Sequence, residues 1–104
     1  MISAESVFEL NKKVAKKLGL DVVCFRHNFE IRERGSWTIF NPCFNVSQAW
    51  DIMYKHNISI NFEEGISPAA FKNLKHTAHN VFTFDLEASH ENALIAAMLV
   101  FVGE

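Results

Sequence analysis

A chain of 104 residues, 49% hydrophobic and 21% charged, has the size and composition of one globular domain over residues 1–104, which excludes a second folded unit and disorder throughout. Its 10 Lys and Arg against 12 Asp and Glu leave a formal net charge of −2, too small for a nucleic-acid binder that relies on a general positive field or for an acidic mimic of DNA. No basic segment followed by an apolar run opens the chain, and its longest apolar run, Ala93 to Val102, would reach only about 15 Å as a helix, so neither secretion nor membrane insertion is supported.

Ser6-Val7-Phe8-Glu9 has the form of a capping box, and Val7, Leu10, Val14 and Leu18 recur at helical spacing before Gly19. The spacing predicts a first helix from Val7 to Leu18. Lys12, Lys13, Lys16 and Lys17 lie on its other face, which reads as a solvated side with a phosphate-binding patch as the alternative. Between Leu20 and Phe40 the period shortens, and Asp21 to Phe25 and Ser36 to Phe40 read as strands. Phe29 and Ile31 alternate with Glu30, Arg32 and Arg34, so the first strand can extend to a turn at Arg34-Gly35.

Asn41-Pro42-Cys43-Phe44 ends the second strand, because proline lacks the donor that a ladder needs. Asn45 then caps a second helix with Gln48 three residues on, and Val46, Ala49, Trp50 and Met53 form its apolar stripe, with Trp50 expected in the core. That helix should end near His56-Asn57. Ile58 to Phe62 alternates cleanly and turns at Glu63-Glu64-Gly65, whereas Ile66 to His79 reads as a loop with a short helical piece. Val81 to Leu86 alternates again and is expected to pair antiparallel with the Ile58 strand. Ser89 would cap a third helix from about His90 to Phe101, apolar on every side, which places it in a middle layer or at a subunit interface formed by Ile95, Met98, Leu99 and Phe101. The order α-β-β-α-β-β-α predicts an α+β fold, a compact layered sandwich of three helices and one antiparallel sheet of about four strands.

Three stretches together resemble the NinX-like proteins of lambdoid phages and prophages. They are Phe8 to Ala15; Phe40-Asn41-Pro42-Cys43 followed by Ala49 to Met53 and Asn57 to Ile60; and Asn92 to Phe101. Arg26 to Gly35 and Glu63 to Ser89 match poorly. Where this chain has Ala93, Leu94 and Ile95, the family pattern often has proline, leucine and arginine, so the last helix is more apolar here and an interface role gains weight. The resemblance implies a phage or prophage accessory protein working in the bacterial cytoplasm, and it implies no activity.

Catalytic and metal chemistry find little support in the residues. The chain has no C-x-x-C, no H-E-x-x-H and no glycine-rich phosphate loop, and His76 and His79 are the nearest approach to a ligand pair. Cys24 and Cys43 read as reduced cytosolic thiols, and no base in the sequence marks Cys43 as a nucleophile. Glu63-Glu64 and Asp85-Leu86-Glu87 read as solvated acids. The Asn41 to Asn45 turn is the best local candidate for an anionic or carbonyl ligand, with Asn41 and Asn45 acting merely as caps in the alternative.

The expectation is therefore a binding protein that is not an enzyme and needs no cofactor, engaging a bacterial host protein. The alternative is an oligomer that sequesters a nucleotide-like signal, with Arg26, Arg32 or Arg34 holding phosphate and Trp37 stacking on a base. Nucleic-acid binding through the helix 1 lysines is a third and weaker reading.

Overall fold

The computed structural model describes residues 2–78 and 81–103. Among them are α1 (Ala4–Leu18), β1 (Val22–Phe25), β2 (Glu30–Glu33), α2 (Val46–Lys55), β3 (Ile58–Asn61), β4 (Ala69–Lys72), β5 (Lys75–His76), β6 (Phe82–Thr83), β7 (Leu86–Ser89) and α3 (Ala93–Val102). The α+β class with three helices stands. The strands, however, form three small antiparallel sheets in the orders β1-β2, β3-β4-β7 and β5-β6 in place of one sheet of about four. No helix among the described residues is long and apolar enough to cross a membrane.

α1 starts a turn earlier than its capping-box signal, because Ser3 is the cap and its Oγ accepts the Ser6 N–H at 3.1 Å. At the other end Gly19, at φ 72°, lets its own N–H reach the Lys16 carbonyl while the Leu20 N–H reaches the Ala15 carbonyl, a Schellman closure. α2 is capped as expected, with the Gln48 N–H donating to Asn45 Oδ1 at 3.0 Å. α3 is capped by Asn92, whose Oδ1 accepts the N–H groups of Leu94 and Ile95. The expected cap, Ser89, is instead paired with Ala69 in the sheet.

The first hairpin also turns earlier than its sequence suggests. The chain reverses between Phe25 and Glu30, with Phe29 at φ 54° and its ring 5.8 Å from that of Phe8. A tertiary contact with α1 therefore sets the turn, overriding the local alternation. A second tight turn follows, in which the Trp37 N–H donates to the Glu33 carbonyl at 2.8 Å and Trp37 itself takes φ 59°. The strand expected over Ser36 to Phe40 contracts to a bridge between Ile39 and Arg32.

The largest departure is β4. The segment expected to be a loop with a helical piece supplies the central strand of the main sheet, with Ile60 opposite Ala70 on one side and Ala70 opposite Ala88 on the other. Pro68 enters it and has no N–H to lose, while its carbonyl accepts the His90 N–H at 3.1 Å. Ala70 is fully buried on the strand that packs against α3, where a small side chain permits close approach despite alanine's preference for helix. β7 thus pairs with β4 and not with β3, and the start of the expected Val81 to Leu86 strand becomes β6, paired with β5. His79 lies outside the described residues.

α3 occupies the middle of the molecule. It packs on α1, on α2 and on all three strands of the main sheet. Ile95, Met98 and Phe101 are fully buried within the chain's own core, which removes them from the expected subunit interface; Leu99 is partly buried against the same core. Of the two places open to an all-apolar helix, the middle layer is the one occupied, because two helices and the main sheet close around it.

Candidate binding surfaces

The Asn41 to Asn45 turn is wedged between α1 and α2, and hydrogen bonds from both helices hold it there. Asn11, 4% exposed on α1, donates through Nδ2 to Asn41 Oδ1 at 2.8 Å and accepts the Cys43 N–H on Oδ1 at 3.4 Å. Gln48 of α2 accepts the Asn41 N–H on Oε1 and donates through Nε2 to the Ile39 carbonyl, both at 2.7 Å. The Phe44 and Asn45 N–H groups both turn back to the Asn41 carbonyl. Pro42 and Cys43 are buried beneath this knot, and burial pushes the Cys43 thiol up to about 12, so it stays protonated and shielded. Asn41 and Asn45 thus serve as a latch and a cap, and their side chains are engaged within the chain.

Asn11 and Gln48 are the partners that the sequence reading left out. A signal for Asn11 existed: it sits four residues after Val7 and three before Val14, a polar side chain on the apolar stripe of α1, where it must find a buried partner. Gln48 is usually read as the third residue of a capping box, yet its side chain reaches away from its own cap to the preceding strand end.

The arginines are each held by carboxylates. Arg26 bonds Glu9 at 2.7 Å, approaches Glu5 at 3.8 Å and lies over the Phe8 ring; the same contact lowers the Glu9 carboxyl pKa below its ordinary value. Arg32 pairs with Glu30 and donates to the Trp37 carbonyl at 2.8 Å, while Arg34 bonds Asp21 at 3.1 Å. Arg26 and Arg34 flank opposite ends of the β1-β2 hairpin, about 15 Å of strand apart. Of the three arginines offered as phosphate holders, Arg32 is the one with a described hydrogen bond to Trp37, whose side chain is half exposed. On α1, Lys17 donates to the Phe101 carbonyl at 2.6 Å, a cation at the C-terminal end of α3, and Lys12 pairs with Glu9.

The exposed apolar surface lies elsewhere. α2 turns Ala49, Ile52 and Met53 inward, while Val46, Trp50 and Tyr54, spaced by four, run along its outside at 66%, 66% and 82% exposure. Trp50 is therefore a surface residue, contrary to the expectation that it joined the core. Phe44 is exposed just before the helix, and an Asp51–Lys55 pair at 3.1 Å borders the stripe. A second feature is a groove of about 370 Å³ on the outer face of the main sheet, lined by Ser59, Ile60, Asn61, Phe71, Leu74, Phe82 and Phe84. The Phe71 and Phe84 rings meet edge to face there, 5.0 Å apart.

The family model described as Bacteriophage P22, NinX matches residues 3–104. The chain belongs to the NinX family. Among curated proteins and among solved structures, nothing matches it. The NinX match includes Asn11, the Asn41-Pro42-Cys43 turn and Gln48, so the buried knot falls inside the family's span. It also includes the α2 stripe, which no packing among the described residues explains.

Proposed function

We propose that this NinX chain is a non-catalytic accessory protein of a phage or prophage, and that in the bacterial cytoplasm it docks on a host protein through the outward face of α2, for counter-defence or host takeover. The observation that carries this reading is the exposure of Trp50 and Tyr54 on a helix whose opposite face already supplies the core. Tryptophan and tyrosine combine a large apolar area with one polar tip and dominate the binding energy of protein interfaces. An apolar stripe left in water lowers solubility without aiding the fold, so a partner that covers it gives it a reason to persist. Family membership supports the choice of partner class, because a phage protein acts among host proteins.

The test pairs the wild-type chain with Trp50→Glu/Tyr54→Glu in quantitative pull-downs from host lysate, followed by direct titration of the protein recovered. A host protein bound by the wild type and weakened at least tenfold by the double variant, with unchanged melting temperature, is the expected result. Equal recovery by both chains, or no specific recovery by either, would overturn the reading.

A further inference from the structure

β3 and β7 are the two edges of the three-stranded sheet, and the ladder itself fixes which of their backbone groups face outward. The Asn73 N–H donates to the Asn57 carbonyl at 2.9 Å, and the register continues with Ile58 opposite Lys72 and Ser59 opposite Phe71. Bonded and non-bonded pairs alternate along an antiparallel ladder. Asn57, Ser59 and Asn61 therefore turn their backbone groups to β4, and Ile58 and Ile60 turn theirs to the open edge. On the other side the His90 N–H bond to the Pro68 carbonyl makes the same alternation leave Glu87 and Ser89 facing out from β7.

The two edges differ in chemistry. β7 carries Glu87, with Asp85 and Glu91 just beyond its ends, so a second strand of the same sequence would meet like charge there. β3 carries no charge and no proline, and its register with β4 runs without a bulge. Charge, proline and bulge, three of the devices that usually blunt an edge, are thus missing from it. Moreover, Asn57-Ile58-Ser59-Ile60-Asn61 reads the same in both directions.

We propose that β3 pairs antiparallel with β3 of a second copy about a twofold axis at Ser59, joining two three-stranded sheets into one of six strands. In this register Ile58 faces Ile60 of the second copy in a bonded pair, and the twofold repeats it, giving about four backbone hydrogen bonds from the groups that now face outward. The isoleucine side chains, which pack on the α3 side of each sheet, then meet across the junction, so apolar surface adjoins apolar surface. Asn57 faces Asn61, and Ser59 faces its own copy in a non-bonded pair, where side chains come closest. Phe62, 71% exposed just past the strand, gains cover from the second copy's α2–β3 junction. The interface is isologous and closed, as a twofold dimer requires. It leaves the outer face of α2 out of the strand pairing.

Light scattering during size exclusion, at micromolar concentration, reads the proposal directly. The full chain should elute at twice its own mass, and Ser59→Glu, which sets two carboxylates face to face on the axis, should elute as a folded monomer. Should that variant fail to fold, Ser59→Cys in a Cys24→Ser background decides: the non-bonded pair holds the two Cα atoms about 4.5 Å apart, so mild oxidation should give a covalent dimer that reductant reverses. A wild-type chain that stays monomeric overturns the proposal, including the case in which the edge is taken by a strand of another protein. A dimer that neither Ser59→Glu dissociates nor Ser59→Cys crosslinks overturns it as well.

Discussion

α2 and α3 are each ten residues long and each carries more apolar side chains than a single packing face requires, yet they place them in opposite ways. α3 is enclosed by α1, α2 and the main sheet, so Ile95, Ala96, Ala97, Met98, Val100 and Phe101 are all satisfied within the chain. α2 has neighbours on one side only. It sends Ala49, Ile52 and Met53 inward and leaves Val46, Trp50 and Tyr54 in solvent. An apolar helix is thus no sign of an interface when its surroundings close over it, whereas aromatic residues on the free side of a one-sided helix are available for recognition.

The comparison can be broken at several points. The largest effect is expected from Phe101→Ala, which removes the ring that His56 meets edge to face at 4.7 Å and over which Lys17 lies at 5.0 Å; urea unfolding should show a loss of about 3–5 kcal/mol. A loss near zero would mean that α3 does not hold the centre. Asn11→Ala should cost about 1–3 kcal/mol in the same measurement, because it strands the Cys43 N–H and the Asn41 amide oxygen in a buried setting. Trp50→Ala should change stability by less than about 0.5 kcal/mol. If it instead destabilises the chain as a core deletion does, the contrast between the two helices collapses and with it the case for a recognition face.

α1 and α2 and their approximate spans were legible in the sequence because each had a periodic stripe and a stop signal at Gly19 or Asn57, and α3 was legible as an unbroken apolar run behind a capping residue. The facing of α2 was not. The stripe read for α2 contained Val46 and Trp50 along with Ala49 and Met53, and spacing alone does not tell which edge of a wide apolar arc meets the core. Ile58 to Asn61 was legible as a strand for its strict alternation, while β4 was hidden because Ala69 and Ala70 carry helix propensity and only the depth of the sheet under α3 demands their size. Of the site candidates, Asn41 and Asn45 were found for the right chemistry but in the service of the fold, and the arginines were read without their carboxylate partners, which come from α1 and from the other strand end.

α3 follows the other described elements in chain order. A ribosome therefore delivers two helices and the whole sheet before the helix on which they pack, and until it emerges each of those layers shows an apolar face to chaperones and proteases. The core of this domain closes only once α3 is in place, and a chain cut short ahead of Ala93 is expected to lack it.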